Sequence, residues 1–99
     1  MPLYEIPLSA QNQKFSISLA GRQYKLRFVY RIDAWFFDVL DMAENMLIPS
    51  LLMCQGINLI EQYQHILKGG FYVINIKKDE SQAFTDLGSN IQLYWESDI

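Results

Sequence analysis

The chain has 99 residues, of which 51% are hydrophobic and 14% aromatic, so we expect one ordered domain over residues 1–99 with a buried core. Its net charge of −3 disfavours general binding to nucleic acid, because such affinity depends on neutralised phosphates. The single cysteine, Cys54, excludes an internal disulfide and fits a cytoplasmic origin. The first residues show neither the basic nor the apolar region of a signal peptide, and no apolar run is long enough to cross a membrane, so we expect no signal peptide and no membrane partner.

The charges are divided along the chain. Residues 1–40 carry five basic and three acidic groups, whereas residues 41–99 carry three basic and eight acidic groups. Opposite signs on two parts of a small protein favour oriented docking onto other proteins. Ordinary solvated faces are the alternative interpretation.

The N-terminal third predicts a short strand over residues 4–8 and a β-hairpin with strands over 14–20 and 23–31. Pro7 is expected to keep the first strand at a sheet edge. In the hairpin, apolar and polar side chains alternate with a period of two, which places them on opposite faces. The connection Ala20-Gly21-Arg22 contains a glycine that can adopt the positive φ of a tight hairpin.

The rest of the chain predicts four more strands and one short helix. After a tight turn at Ile32-Asp33, residues 34–41 predict a third strand, and residues 46–54 are consistent with a fourth, with Pro49 marking a bulge or an edge. Asn58 is a plausible N-cap for one short α-helix around residues 58–66, and Gly69-Gly70 would end it. Strands over 71–76 and 91–95 flank a polar loop over 77–90.

This order of elements predicts a mainly β fold. We expect a small, partly open β-barrel of the OB-like or SH3-like kind with one short α-helix. A flat sandwich is the main alternative.

The sequence lacks the groups that catalysis needs. His65 is the only histidine and Cys54 the only cysteine, so neither a structural zinc site nor a nucleophile with its base is expected. Asp38 and Asp41 lie three apart on a predicted strand and would point to opposite faces. We therefore expect no enzyme activity, no catalytic residue, no metal site and no cofactor.

The interface candidates are basic and aromatic residues. Lys25, Arg27 and Arg31 project from one side of a strand, either as a solvated face, as a docking stripe for an acidic partner or as a contact for nucleic acid. Adjacent aromatics on a strand cannot all point inward, so at least one of Trp35 and Phe36 and one of Tyr94 and Trp95 should lie outside a single-sheet core. Such outward rings need cover from this chain or from a partner.

Several segments, in this order and spacing, resemble the small plug proteins in the baseplates of contractile-tailed bacteriophages and prophages. They are Glu5-Ile6-Pro7-Leu8, Asn12-Gln13-Lys14-Phe15-Ser16-Ile17, Gly21-Arg22-Gln23-Tyr24-Lys25-Leu26-Arg27, Val39-Leu40-Asp41, Gly56-Ile57-Asn58-Leu59-Ile60-Glu61-Gln62-Tyr63, Gly69-Gly70 and Leu87-Gly88-Ser89-Asn90-Ile91-Gln92-Leu93-Tyr94-Trp95. The resemblance spans nearly the whole chain.

The resemblance implies a non-enzymatic virion component in the tail baseplate, assembled in the bacterial cytoplasm. Its implied partners are other baseplate proteins, namely hub, spike, tube or wedge components, and it implies no small-molecule substrate. The alternative function is an OB-like module that binds an oligonucleotide or a small ligand, suggested by the barrel-like strand order and the basic stripe.

Overall fold

The computed structural model describes residues 3–79 and 81–97, which form two antiparallel sheets packed face to face. The strands are β1 Leu3–Ile6, β2 Gln13–Leu19, β3 Arg22–Arg31, β4 Ala34–Leu40, β5 Met46–Leu52, β6 Gly70–Asn75 and β7 Ile91–Glu96. One sheet has the order β2-β3-β4-β5 and the other β1-β7-β6. The predicted mainly β fold is confirmed, and the two sheets remain an open pair that does not close into a barrel.

The alternation in β3 and β4 produces the core. Leu26 pairs with Val39 and Phe28 with Phe37 across the two strands, and all four side chains are fully buried. The residues between them face outward, as the period of two predicts. The inner face of the four-stranded sheet is therefore almost entirely apolar, and it needs the second sheet to cover it.

Five aromatic rings run through the interior from one sheet to the other. Phe15 stacks on Phe28 and Phe28 on Phe37, with centroids 5.8 and 5.0 Å apart. Phe37 then meets Phe71 of the other sheet edge-to-face at 5.3 Å, and Phe71 contacts Trp95 at 5.0 Å. Aromatic pairs at these distances contribute energy beyond the area that they bury, so this row joins the two layers.

Two of the three hairpins of the four-stranded sheet, β2–β3 and β3–β4, have two-residue turns with positive φ at both positions. Ala20 and Gly21 have φ of 51° and 78°, and Ile32 and Asp33 have φ of 50° and 60°. These values correspond to type I′ turns, whose twist matches that of the flanking strands. The predicted tight turns are therefore confirmed at both places.

A bulge interrupts the pairing of β4 with β5, an edge strand. The register shifts between Phe37 and Val39, opposite Pro49 and Ser50. Ser50 has a φ of 51°, and its backbone N–H donates to the Asp38 carboxylate at 2.7 Å instead of to a ladder carbonyl. The predicted role of Pro49 at a bulge or edge is confirmed.

The predicted α-helix around residues 58–66 is replaced by a 3₁₀ turn over Glu61–Tyr63. Asn58 does not act as a simple N-cap: its Oδ1 accepts hydrogen bonds from the backbone N–H groups of Ile60 and Phe71, and its Nδ2 donates to Gly69. Short helices are marginal in water. The bonds from Asn58 to β6 fix this segment to the sheet, and the local bonds are mostly of the i to i+3 type.

The predicted polar loop over 77–90 is more ordered than expected, although its Glu80 lies outside the described residues. It contains a 3₁₀ turn, Phe84–Asp86, and Gln82 connects it to the four-stranded sheet. The side chain of Gln82 accepts the backbone N–H of Trp35 at 2.7 Å and donates to the carbonyl of Met53 at 2.6 Å. This loop therefore covers one end of the sandwich.

Candidate protein–protein interface

The first basic candidate on the outer face of the four-stranded sheet, Arg27, is paired within the chain. It lies opposite Asp38 in register and donates two hydrogen bonds to one carboxylate oxygen, at 3.0 and 2.6 Å. Asp38 is buried, with 6% of its surface exposed, and its other oxygen accepts the Ser50 N–H. Arg27 therefore compensates a buried negative charge and offers little positive charge to an external ligand.

The second basic candidate, Lys25, shares an acidic partner with Lys14. Their ammonium groups lie 2.9 and 2.7 Å from the two carboxylate oxygens of Glu44. The hydrogen bond from Lys14, followed by that from Lys25, lowers the pKa of Glu44 to about 2. Because Glu44 is solvent-exposed, these two ion pairs neutralise part of the positive charge on the face without contributing much stability.

Arg31, the third basic candidate, has no carboxylate partner among the residues that the structure describes. Its guanidinium carbon lies 5.1 Å from the centre of the Phe36 ring, a cation–π geometry, and its Nη2 donates to Ser50 Oγ at 3.3 Å. Arg31 is thus the member of the predicted stripe whose charge is available to a partner. Phe36 lies half-buried beneath it on the same outer face.

The four aromatic candidates divide into two inward and two outward rings. Trp35 and Trp95 are 0% and 4% exposed and belong to the core, whereas Phe36 and Tyr94 lie half-buried on the outer faces of the two sheets. A ring buried in the free chain offers no surface, so Trp35 and Trp95 support the fold, and Phe36 and Tyr94 remain the aromatic candidates at the surface. The predicted division within each adjacent pair is confirmed.

The outer face of the three-stranded sheet is acidic and aromatic. Glu5 pairs with Tyr94 in register, and Tyr72 lies on the other side of Tyr94. The Tyr72 hydroxyl lies 3.5 Å from Glu96, and its pKa is raised, first by burial and then by the charge of Glu96. Two acidic side chains therefore lie on this face, Glu96 from the acidic part of the sequence and Glu5 from the part that is basic overall.

A groove opens where the two sheets fail to meet. It lies between the edge strands β1 and β2, each of which has only one strand neighbour. Its volume is about 340 Å³, and its apolar lining is Tyr4, Ile6, Ile17, Leu19 and Trp95. Glu5 lies on its rim and forms no ion pair with any described residue. We call this feature the seam groove.

The residues considered for catalysis do not come together. His65 is exposed in a shallow groove with Arg22, Tyr24 and Lys68, and Cys54, which is half-buried against the core, does not line that groove. Asp38 binds Arg27, whereas Asp41 accepts hydrogen bonds from Asn45.

Neither a metal-binding cluster nor a membrane-spanning helix occurs in the described parts of the chain. Within residues 3–79 and 81–97, no three His, Cys, Asp or Glu side chains are grouped closely enough to hold a metal ion. Over the same ranges, no helix has the length and apolar character to cross a membrane.

One buried acidic site was not predicted. Asp86 is 5% exposed and accepts hydrogen bonds from the Ala83 backbone, the Asn90 side chain and Lys77. These bonds, that of Ala83 first, lower its pKa. The site anchors the 77–90 loop, and no periodic pattern of residues predicts it, because its members lie in irregular structure.

A match to one known protein family assigns this chain to that family. The family described as the cyanophage baseplate Pam3 plug gp18 matches residues 3–98, which is almost the entire chain. The chain belongs to this baseplate plug family. The resemblance inferred from the sequence is therefore confirmed. No curated protein matches the chain.

The two outer faces of this plug-family protein present most of the predicted interface residues. Both outer faces carry charged and aromatic side chains at fixed positions on paired strands, which is an arrangement suited to contacts with other proteins. Of the seven predicted interface residues, the four-stranded sheet presents Lys25, Arg27, Arg31 and Phe36, and the three-stranded sheet presents Tyr94. The sequence could not reveal the seam groove, because it lies between strands that are distant along the chain.

Proposed function

We propose that this protein is a non-enzymatic structural component of a phage or prophage tail baseplate that acts through protein–protein contacts in the baseplate core. The observation that carries the proposal is the match of residues 3–98 to the baseplate plug family. Its partners are other baseplate proteins of the hub, spike, tube or wedge. It is assembled into the tail in the host cytoplasm.

The geometry of the surface supports this role. The rings of Phe36 and Tyr94 are half-buried on opposite outer faces, and Arg31 presents a charge beside the first of them. Aromatic residues and arginine are enriched where proteins bind one another. We propose the surroundings of Arg31 and Phe36, and those of Tyr94, as the contact surfaces, while Lys25 and Arg27 shape the first of them through their ion pairs.

The alternative, an OB-like module that binds an oligonucleotide or small ligand, loses its motivating observations. Two of the three stripe cations, Lys25 and Arg27, are paired with Glu44 and Asp38. The sheets do not close into the barrel on which OB-type binding depends. We therefore do not adopt it.

Co-expression tests the proposal. The tagged chain is produced together with each hub, spike, tube and wedge protein encoded beside it, and we expect at least one to co-purify in a fixed ratio. Phe36→Ala and Tyr94→Ala each probe one outer face, and loss of co-purification with either identifies the face that meets the partner. Lys78→Ala, an exposed change in the 77–90 loop, is the control and should bind normally.

Two results would count against this assignment. If the folded chain retains none of these proteins, the proposed role in the baseplate core is overturned. If a partner is retained equally by Phe36→Ala and Tyr94→Ala, the proposed contact surfaces are overturned while the role stands.

A further inference from the structure

The tip of the β3–β4 hairpin carries a residue type that its turn disfavours. Ile32 has a φ of 50° and is 94% exposed, and Asp33 follows with a φ of 60°. Type I′ turns favour Asn, Asp and Gly at such positions, and a β-branched residue there is a conformational outlier. The isolated chain therefore holds a strained backbone and projects an apolar side chain into water, with no benefit to its own fold.

The residue before this tip adds a positive charge. Arg31 is exposed, and its guanidinium has no carboxylate partner within residues 3–79 and 81–97. The tip thus combines a protruding aliphatic side chain with an available cation. A complementary site must offer an apolar recess with a carboxylate at its rim.

The chain itself carries a recess of this kind. The seam groove is lined by Ile6, Ile17 and Leu19 together with the rings of Tyr4 and Trp95, and its rim holds Glu5. The unmatched positive charge at the tip and the unmatched negative charge at the groove are complementary.

The two features lie at opposite ends of β3, so one chain cannot bring its own tip to its own groove. The seam groove borders the Ala20-Gly21 turn before β3, and Ile32 follows its other end. A ten-residue strand spans about 30 Å.

We propose that the Ile32 tip of one copy inserts into the seam groove of a second copy, with Arg31 facing Glu5. This contact is heterologous, so it leaves one tip and one groove open and can continue into a ring or a row of copies. A single tip buries less surface than a standard interface, so the association should be weak and depend on concentration and salt. The proposal concerns self-association and goes beyond the proposed role in the baseplate.

Sedimentation velocity of the purified chain over a range of concentrations at low salt tests it. We expect the wild-type chain to associate as concentration rises. Ile32→Asn should weaken association on the order of tenfold or more, because it removes the apolar anchor. The same variant should unfold at a temperature equal to or above that of the wild type, since Asn tolerates the positive φ. Asp33→Gly, which keeps Ile32 in the same turn, is the control and should associate normally.

A charge exchange makes the test specific. Arg31→Glu and Glu5→Lys should each weaken association alone, because each places like charges opposite one another in the contact. An equimolar mixture of these two variants should associate again, since every tip then meets a groove of opposite sign.

Three results would overturn the proposal. They are a wild-type chain that remains monomeric at all concentrations, association that Ile32→Asn leaves unchanged, and a mixture of Arg31→Glu and Glu5→Lys that stays dissociated. If Ile32→Asn instead abolishes binding only to another baseplate protein, the tip serves that protein and self-association is excluded. The role in the baseplate would survive each of these outcomes.

Discussion

Arg27 and Asp38 lie opposite one another on adjacent strands and form an ion pair of 2.6 Å on the outer face of the four-stranded sheet. Asp38 is buried, whereas the Arg27 side chain is 46% exposed. The pair therefore links a buried carboxylate at the β5 bulge to the surface. Arg27, which the sequence predicts as part of a free basic stripe, instead stabilises the fold through this ion pair.

Removal of this carboxylate should destabilise the fold. In Asp38→Ala, the Ser50 N–H and the Arg27 guanidinium lose their acceptor, and we expect a loss of about 2 kcal/mol in the free energy of unfolding. Urea denaturation measures it. Lys14→Ala, which breaks an exposed ion pair, should leave the urea midpoint nearly unchanged. Equal midpoints for Asp38→Ala and Lys14→Ala would show that the buried carboxylate does not stabilise the bulge.

The acidic groups with lowered pKa should make stability fall in acid. The pKa of Asp86 in the folded chain lies below its ordinary 3.8, so its stabilising contribution is present above that pH and is lost as pH falls through the folded value. Asp86→Asn should flatten the dependence of the urea midpoint on pH below about pH 4.

Glu44 provides the exposed comparison for that experiment. Its pKa of about 2 lies below the ordinary 4.5, so its contribution fades between these values as pH falls. Glu44→Gln should change the acid dependence less than Asp86→Asn does, because solvent screens the Glu44 pairs. An acid profile of Asp86→Asn that overlays the wild type would contradict the assigned role of Asp86.

Gln82 should matter more than its place in a polar loop suggests. Gln82→Ala leaves the backbone N–H of Trp35 and the carbonyl of Met53 without their partner, and we expect a loss of about 1–3 kcal/mol in unfolding free energy. Hydrogen exchange at the Trp35 amide should accelerate as well. Gln62→Ala, at an exposed position, is the matched control. Indistinguishable stabilities of the two variants would mean that the loop is not anchored through Gln82.

Substitution of Gly69 tests how closely the backbone before β6 approaches the Trp95 ring of the core. Its φ is 134°, and a Cβ there would collide with the Trp95 indole. Gly69→Ala should therefore cost more than Gly56→Ala, where φ is 94° but the space is open. Strain at positive φ alone is worth about 1 kcal/mol, and the clash should add to it. Thermal unfolding of both variants measures this difference, and a similar Tm for the two would contradict the predicted clash with Trp95.

Local patterns predict much of the fold. The alternation in β2, β3 and β4, the two-residue turn at Ala20-Gly21 and the bulge at Pro49 follow from side-chain spacing and backbone preference, which act within a few residues. The partition into two sheets does not, because β1 pairs with β7 across most of the chain. The expected helix fails for the same reason, since the side chain of Asn58 bonds to β6 rather than only to its own turn.

The sequence predicts which residue types lie on the candidate surface, but it does not predict which of their charges are paired within the chain. The sequence placed Lys25, Arg27 and Arg31 on one side of a strand correctly, but it could not show that Asp38 and Glu44 pair with the first two. Asp38 reaches Arg27 through strand pairing, and Glu44 reaches Lys25 from the loop between β4 and β5. Neither approach produces a periodic pattern in the sequence. The strain at Ile32 became visible only with its φ.

Mass spectrometry of gradient-purified tail particles from cells that carry the gene tests the central claim most directly. We expect peptides of this chain in a constant ratio to those of the hub and tube proteins, and we expect them to remain after a high-salt wash. Particles with a complete set of other baseplate proteins but none of these peptides would contradict it.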